Sequence, residues 1–478
     1  MKRVIYFSLS ANPWQRSALL DSALSASQDS ESEIIFTQAY TPETSFMDLP
    51  LSSSADYLVA KIQDLRLSRM FKNSNFKLRN YSTYGNHKII RLSEEDLKMG
   101  YEETITKTRD SKPCRIHAQN LISHYAKLHH LAYRESLSYL QEMQPDLVFI
   151  FNGRFYREKA IWRAARELGI QVHFIERFAP TWGNRYFEFQ GPVHDIGYRC
   201  SLMKDFWTSF TEANGEEAAR KIADKWFIDR SIGINQSFTA DQTLDFRFEF
   251  GDKKVITFFH SSEDELFTTE LGSALWDDQI IFLQALQEAF SKLNDFHLVV
   301  RVHPNLRHKS QREITRWRKF ESDSRHFGST FIMHDSPIKS YDLLNKSDYI
   351  LTFGSTIGVE ASFFGKPSVL VSRAFHENLE VVQSINDIRD LIETLTNGIP
   401  KTNLQRFQKN TGIYGLFHAA AGIRFRNLTS SDMPIQDPVF TYGGVNIKSF
   451  RIISLLRRLE GKIIRSLPIK FSLLCKCG

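Results

Sequence analysis

Long apolar runs are missing from this chain of 478 residues. No segment approaches the roughly 18 to 20 consecutive apolar residues that a membrane-spanning helix needs, so we expect the body of the protein to be water-soluble. The apolar run nearest the amino terminus covers only Val4 to Leu9. This run is too short for a signal peptide and is better interpreted as the first strand of a core.

Cysteine is also scarce, and internal repeats and low-complexity tracts are missing. None of the four cysteines has histidines at ligand-like spacing, which argues against a metal site built from them. Unpaired cysteines fit a reducing compartment, so we expect a cytoplasmic protein. The four are Cys114, Cys200, Cys475 and Cys477.

The net charge of +6 is concentrated in places, most of all near the carboxyl terminus. A uniform basic face with interleaved aromatic residues would indicate nucleic acid, whereas a local excess fits anionic small molecules or a lipid surface. From Gly444 onward, an apolar stripe with a basic opposite side is typical of an amphipathic helix on an anionic membrane. A helix docked on the protein, with its cations in water, would have the same pattern. The stripe comprises Ile452, Leu456, Leu459, Ile463 and Leu467, and the basic side Arg451, Arg458, Lys462 and Arg465.

Strand and helix patterns alternate along much of the remaining sequence, which predicts an α/β fold built from two series of strands. The first series is clearest between Asp146 and Ile175, where two buried strands flank a helix. Parallel α/β sheets bind ligands beyond the carboxyl ends of their strands. Because Asn152, Arg154 and Glu176 follow such ends, we predict that they line a site in the first half of the chain.

The second series contains strands at 255–259, 297–302 and 349–353, and polar turns accompany all three strand ends. In a doubly wound sheet these turns converge on one crevice. There they offer hydroxyls, backbone amides, an imidazole and a cation to a phosphate group. Pro304 also biases His303 toward an extended backbone. The candidates are Ser261, Ser262, Arg301, His303, Pro304, Gly354, Ser355 and Thr356, with Glu360 for ribose or base hydroxyls.

Each of these pieces also has an ordinary structural explanation. The stretch from Ser347 to Ser372 predicts strand, tight turn, short helix and strand, in which Ser355 could simply cap the helix. A His-Pro pair after a strand is often only a turn, Arg301 could be a strand-edge charge, and the acidic turn at 263–265 could be solvated. The prediction of a site depends on the conjunction of the three turns.

That conjunction resembles a known family. The segment RVHP at 301–304, followed by SDYILTFGSTIGVEASFFGKPSVLV at 347–371, resembles the carboxyl-terminal half of the GT-B glycosyltransferases of bacterial capsule synthesis. These include the capsule polysaccharide Kdo transferases and, more distantly, the bacterial sialyl- and polysialyltransferases with their His-Pro and Ser-Ser/Thr motifs. Residues 152–177 are similar to a segment in the first domain of the same capsule proteins.

The resemblance, which covers roughly residues 146–372, implies two Rossmann-like domains that face each other across a cleft. The helical tail is predicted from the pattern of its own sequence. Residues 1–245 would form the acceptor-side domain, with an irregular insertion at about 41–112. Residues 246–427 would bind the nucleotide-sugar, and residues 428–478 would form the basic amphipathic tail.

The resemblance also implies roles for individual residues. His303 would stabilise the departing phosphate, Ser355 and Thr356 would hold it, and Glu360 would lie beside the nucleotide. The acid-acid-Gly motif that supplies the base in the sialyltransferases has no clean copy in this sequence. We choose Glu176 as the base, because it ends a first-domain strand, and Glu263 as the second choice.

The implied reaction is transfer of Kdo or another nonulosonic acid from a CMP- or other nucleotide-activated donor to a surface-polysaccharide or lipid-linked acceptor. It would proceed by direct displacement, with no metal and no cofactor beyond the nucleotide-sugar. We expect no nucleic-acid partner, and a location in the cytoplasm or peripherally on the cytoplasmic face of the inner membrane. Two alternatives stay open: a polyol-phosphate transferase that uses CDP-glycerol or CDP-ribitol, and a non-catalytic capsule-assembly or glycan-binding protein.

Overall fold

A computed structural model describes most of the chain. The described residues are 2–9, 13–29, 31–38, 76–80, 91–108, 115–177, 185–234, 241–247, 249–262, 276, 278–293, 295–430, 440–442 and 445–447. The chain divides into two compact units. The first unit comprises Met1–Thr108, Lys112–Val193 and Gly422–Gly478, and the second comprises Arg109–Ser111 and His194–Ala421.

The strands of the described residues are numbered β1 to β16. They are β1 (Lys2–Ser8), β2 (Ser32–Gln38), β3 (Phe76–Asn80), β4 (Leu147–Phe151), β5 (Gln171–Arg177), β6 (Arg185–Phe189), β7 (Lys254–Phe259), β8 (Phe296–Arg301), β9 (Thr330–Ile332), β10 (Tyr349–Thr352), β11 (Ser368–Leu370), β12 (Gln383–Ser384), β13 (Ile423–Arg424), β14 (Thr429–Ser430), β15 (Phe440–Tyr442) and β16 (Val445–Ile447).

The helices of the described residues are numbered α1 to α12. They are α1 (Pro13–Ala26), α2 (Glu94–Thr108), α3 (Arg115–Met143), α4 (Tyr156–Glu167), α5 (Ile196–Asn214), α6 (Glu216–Ser231), α7 (Gln279–Phe290), α8 (Gln311–Asp323), α9 (Ser340–Lys346), α10 (Ile357–Phe363), α11 (Ile388–Asn397) and α12 (Lys401–Ala420). Short 3₁₀ helices occupy Pro304–His308, Arg325–Phe327 and Glu377–Leu379.

The first unit is built on a seven-stranded sheet in the order β13-β6-β5-β4-β1-β2-β3. Strands β1 to β5 are parallel, while β6 and β13 continue the sheet antiparallel at one edge. Every residue of β4 (LVFIF) is buried, as expected for a parallel strand covered on both faces. Helix α1 covers one face with Ala18, Leu19, Leu20, Ala23 and Leu24, all buried in the same apolar cluster as β1, β2 and β4.

Helices α2, α3 and α4 of the first unit are joined by a buried carboxylate. Asp96 accepts hydrogen bonds from His129 Nδ1 at 2.9 Å, His130 Nδ1 at 3.0 Å and Arg163 Nη1 at 3.0 Å. Burial raises the pKa of Asp96, but the hydrogen bonds from His129, Ser93 and His130 outweigh it and hold the pKa below its ordinary value. One residue thereby fixes the relative positions of three helices.

The second unit is built on a six-stranded parallel sheet in the order β12-β11-β10-β7-β8-β9. Helices α5, α6 and α12 belong to this unit, and α6 and α12 share a cluster of buried small and apolar residues, Ala219, Ala223 and Leu416. The packing is close because a Cβ on Gly415 of α12 would lie 2.7 Å from the Phe227 ring.

The two parallel sheets confirm the predicted fold class of an α/β protein with two Rossmann-like domains. Other expectations differ from the structure. The boundary between the units falls at Val193/His194 and not at 245/246, because α5 and α6 pack on α12. Within the insertion at 41–112, residues 76–80 form β3 and 94–108 form α2.

The predicted amphipathic helix of the tail, from 451 onward, lies outside the described residues. Earlier in the tail, β14, β15 and β16 form a small antiparallel sheet. No helix among the described residues is both long enough and apolar enough to span a bilayer.

Candidate functional site

Three strands of the second unit end in register. Thr352 of β10 lies opposite Phe259 of β7, and Phe259 lies opposite Arg301 of β8. Neighbouring strands are about 4.8 Å apart, so the turns that follow these three residues lie side by side along one edge of the sheet. The predicted phosphate-site residues of the described chain are therefore brought to a single edge.

The turn after β7 is fixed by a buried glutamine. Ser261 N donates to Gln279 Oε1 and Gln279 Nε2 donates back to Ser261 O, both at 2.9 Å. Gln279 is the first residue of α7, whose preceding residue, Asp278, caps the helix by accepting from Ile281 N. The side chain of Gln279 thus joins the backbone of the turn to the start of α7.

The turn after β8 is tied to the turn after β7 through His303. The backbone N–H of His303 donates to His260 Nδ1 at 3.1 Å, and Asn305 Nδ2 donates to Ser262 Oγ at 3.2 Å. His260 is itself held against the Trp317 ring, with 4.3 Å between the ring centroids. The His-Pro turn is therefore a braced element with His303 in the extended conformation expected before proline (φ −61°, ψ 132°).

The protonation state of His303 follows from its hydrogen bonds. Its Nδ1 accepts from the backbone N–H of Asn305 at 3.0 Å, so in the neutral ring the proton resides on Nε2. Burial lowers the pKa of His303 to about 4, and the charges of Lys309 and Arg301 contribute. At neutral pH the ring is consequently an uncharged hydrogen-bond donor through Nε2, suited to an oxyanion.

The turn after β10 has the open backbone that a close ligand requires. Gly354 has a φ of 99°, in the region that side chains disfavour. Ser355 is partly exposed and Thr356 is exposed. The Ser355 Oγ lies 3.5 Å from the backbone N of Ile357, a contact too long for a strong cap, so capping alone accounts poorly for this serine.

Glu360 does not fit the predicted role of a ribose ligand, and this expectation is corrected. It is 2% exposed, and its carboxylate accepts from Arg230 Nε at 3.2 Å, Arg230 Nη2 at 2.9 Å and Thr356 Oγ1 at 3.1 Å. Tyr341 donates a further hydrogen bond to its second oxygen. These four bonds occupy about the full acceptor capacity of a carboxylate. Glu360 therefore positions Thr356 instead of contacting a nucleotide.

Sequence reasoning missed several residues of this edge. Arg230 and Tyr341 were not predicted because only tertiary packing brings them to Glu360. Arg230 lies near the end of α6. Ser372 and Arg373 follow β11, the strand beside β10, and Arg373 pairs with Glu377 at 2.7 Å. Treating this fourth strand end like the other three would have identified both.

Arg301 is the last residue of β8 and is only 2% exposed. Its Nη1 donates to Met333 O at 2.9 Å, while Nε and Nη2 have no hydrogen-bond partner among the residues that the structure describes. Burial lowers the pKa of Arg301 to about 10, so the side chain stays charged at neutral pH. The interpretation as a strand-edge charge in water is therefore wrong, because the guanidinium is enclosed.

The predicted residues of the first unit share one turn. Asn152 follows β4 with a positive φ of 57°, and its Nδ2 donates to Glu176 Oε2. Its Oδ1 accepts from Arg154 N at 3.1 Å. Gly153 is required between them, because its φ is 77° and a Cβ would lie 2.5 Å from the Phe174 ring. The structure thus brings Asn152, Arg154 and Glu176 together, while the second-choice base, Glu263, lies outside the described residues.

No protein-family model matches the chain, and no curated protein sequence matches it. Solved structures that the chain matches include UDP-GlcNAc 2-epimerase from Neisseria meningitidis bound to UDP-GlcNAc, with 14% identity, coverage of 88% of this chain and 97% of that chain, and a TM-score of 0.30. They also include two KpsC structures from Thermosulfurimonas dismutans. The beta Kdo 2,4 transferase has 16% identity, covers 65% of this chain and 87% of its own, and has a TM-score of 0.34. The beta Kdo 2,7 transferase has 13% identity, covers 68% of this chain and 89% of its own, and has a TM-score of 0.34.

We predict that His303 titrates near pH 4 and carries its proton on Nε2 at neutral pH. Because the pKa falls from an ordinary 6.5 to about 4 on folding, this residue contributes stability above pH 6.5 that is lost as the pH falls toward 4. Nitrogen NMR of histidine-labelled protein reports both the tautomer and the midpoint. A charged His303 ring at pH 6 would contradict the prediction, and His303→Gln should reduce the loss of melting temperature between pH 6.5 and 4.

We predict that Arg230→Met destabilises the protein by about 3–5 kcal/mol, because it leaves the buried Glu360 charge without its cation. Adding Glu360→Gln to the same chain should recover much of this loss, since the charge is then gone. Denaturant unfolding of the two single variants and the double variant measures the coupling. Lys225→Met removes an exposed pair from the same helix and should cost about 0.5 kcal/mol or less. Additive losses would show that Arg230 and Glu360 act independently.

Proposed function

We propose that this chain is a glycosyltransferase that uses a nucleotide-activated sugar as its donor. The sugar is Kdo or another nonulosonic acid, CMP is the favoured nucleotide, and the acceptor is a surface polysaccharide or a lipid-linked glycan. The proposal combines the resemblance of residues 301–304 and 347–371 to the capsule transferases with the geometry of the second unit.

The observation that carries the proposal is the braced His303. A backbone amide donates to its Nδ1 and its own amide is anchored on His260, so a neutral imidazole with its proton on Nε2 is held at the carboxyl edge of a parallel sheet. Beside it lies the Ser262 turn, and the open turn of Gly354, Ser355 and Thr356 follows β10, on the other side of β7 along the same edge. A donor group of fixed position is what stabilises a phosphate that gains charge as it departs.

The chemistry that these residues support is direct displacement. In the first unit, Glu176 is the candidate base that takes the proton of the acceptor hydroxyl, and the Asn152 amide holds its carboxylate in one orientation. In the second unit, His303 donates to the leaving phosphate through Nε2, and the hydroxyl of Ser355 adds a second donor. Thr356 supports the turn through its bond to Glu360.

A thermal-shift screen of CMP, UDP and GDP tests the donor site. We expect stabilisation by the nucleotide of the true donor, favouring CMP, and a loss of transfer activity of roughly two or more orders of magnitude in His303→Ala. His326→Ala is the matched control, because His326 is exposed and lies away from the strand ends. Activity is followed as nucleotide release together with mass analysis of the modified acceptor.

The other candidate functions predict different outcomes of the same experiment. Because CMP is released in both reactions, the group attached to the acceptor distinguishes them. Attachment of a glycerol- or ribitol-phosphate would identify a polyol-phosphate transferase. Unchanged production of surface polysaccharide in cells that carry His303→Ala would indicate a glycan-binding or assembly protein and would overturn the enzymatic proposal.

We further propose that the tail from residue 451 binds the anionic membrane surface that carries the acceptor. The apolar stripe with its basic opposite side would lie in the interface, and anionic lipids would attract the cations. Liposomes with anionic lipid should bind the full chain, weakly at high salt, and should not bind a chain truncated after Thr441. Equal binding by the truncated chain, or none by the full chain, would exclude this role.

A further inference from the structure

Two side chains with unused hydrogen-bonding nitrogens are enclosed at the ends of β8 and β9. Arg301 is 2% exposed and His334 is 8% exposed. Arg301 Nε and Nη2 and His334 Nδ1 are buried without a hydrogen-bond partner among the described residues. The two are neighbours, because Arg301 Nη1 donates to the carbonyl of Met333, the residue just before His334.

Packing alone does not explain an arginine in this state. A buried guanidinium is normally paired with a carboxylate, because an unpaired charge costs several kcal/mol to desolvate. The acidic group that acts on both side chains is Asp335, which is itself paired with Arg318 at 3.3 Å and has a side chain 61% exposed. Two planar donors of the guanidinium fork, Nε and Nη2, are thus buried without an acceptor among the described residues.

The charges around this position favour a negative ligand. Arg307, Arg318 and Arg301 all act on His334, against the single negative charge of Asp335. Arg307 is paired with Asp241 at 2.7 Å and lies on the exposed surface, so the enclosed positive charge is that of Arg301. Arg301 also acts on His303, two residues further along the chain. The position is therefore close to the proposed phosphate site but lies on its β9 side.

We infer that Arg301 and His334 form a second oxyanion subsite, which binds a further anionic group of the donor substrate beyond the phosphate held at His303. The guanidinium offers Nε and Nη2 as a planar pair of donors, the arrangement that matches two oxygens of a phosphate or a carboxylate. The imidazole of His334 offers a third donor through Nδ1. The inference rests on the proposed function for the identity of the ligand, but not for the existence of the subsite.

The experiment uses the full chain and begins with inorganic phosphate as the probe. Arg301→Met should weaken the phosphate-dependent rise in melting temperature, corresponding to a loss of affinity of about tenfold or more. Arg301→Lys should restore part of it, since the charge returns without the fork. Arg325→Gln is the matched control, because it removes an exposed arginine of the same unit that is not among the charges acting on Arg301 or His334, and this variant should bind phosphate as the unchanged protein does.

The melting temperature without ligand separates a binding role from a structural one. An arginine kept for binding is a burden on the free protein, so Arg301→Met should melt at the same temperature as the unchanged chain or higher. A lower melting temperature together with unchanged phosphate binding would overturn the inference. Loss of phosphate binding in Arg325→Gln equal to that in Arg301→Met would overturn it too, by showing a general effect of charge.

Two further ligands identify the source of the anion. If Arg301→Met weakens the binding of a nucleoside diphosphate more than the binding of the monophosphate, the subsite binds the second phosphate. If it weakens the binding of a CMP-linked acidic sugar and leaves the binding of CMP unchanged, the subsite binds the sugar carboxylate. Phosphate binding that depends on Arg301, in a chain that transfers no sugar from any nucleotide donor, would uphold the subsite and reject the glycosyltransferase proposal.

Discussion

The hydrogen bond from the backbone N–H of His303 to His260 Nδ1 is the constraint on which the candidate site depends. It joins the turns of two neighbouring strands and makes His260 an acceptor, which requires that ring to stay neutral. Burial enforces this condition by lowering the pKa of His260 well below its ordinary value. The same logic applies one step outward, because the Asn305 amide makes His303 Nδ1 an acceptor and leaves the proton on Nε2. Two neutral histidines, linked by these backbone hydrogen bonds, thus hold the Nε2–H donor of His303 in one direction.

The polar groups of the second unit fall into two kinds. Around Glu360 both carboxylate oxygens accept hydrogen bonds, and the resulting network of Arg230, Tyr341 and Thr356 fixes the beginning of α10. Around Arg301 and His334, buried nitrogens have no hydrogen-bond partner in the part of the chain that the structure describes. A satisfied network adds rigidity, whereas an unsatisfied one lowers the stability of the free protein and can be offset by a ligand that supplies the missing acceptors. The contrast separates the scaffold of the edge from the part that we propose contacts the substrate.

Several features of the site were predictable from local chemistry. Apolar runs followed by polar turns identified β7, β8 and β10, and the rule that strand ends of a parallel sheet share an edge placed His303 and Ser355 on the same side of the sheet. Pro304 predicted the extended backbone at His303, which the structure has. The functional assignment of Glu360 was wrong because its nearest charged partner, Arg230, is 130 residues away in sequence and no local pattern connects them.

The sequence by itself determined the α/β class, the two series of strands and the identity of the turns, because these follow from short-range periodicity and from the backbone preferences of glycine and proline. Only the tertiary structure decided where the units divide, since the packing of α5 and α6 against α12 places both helices in the second unit. It alone also decided which charges are enclosed. Burial depends on residues far apart in the chain, and for this reason Arg301 and Glu360, both charged residues beside turns, differ in their surroundings. Among the described residues, two nitrogens of Arg301 have no partner, whereas both carboxylate oxygens of Glu360 accept hydrogen bonds.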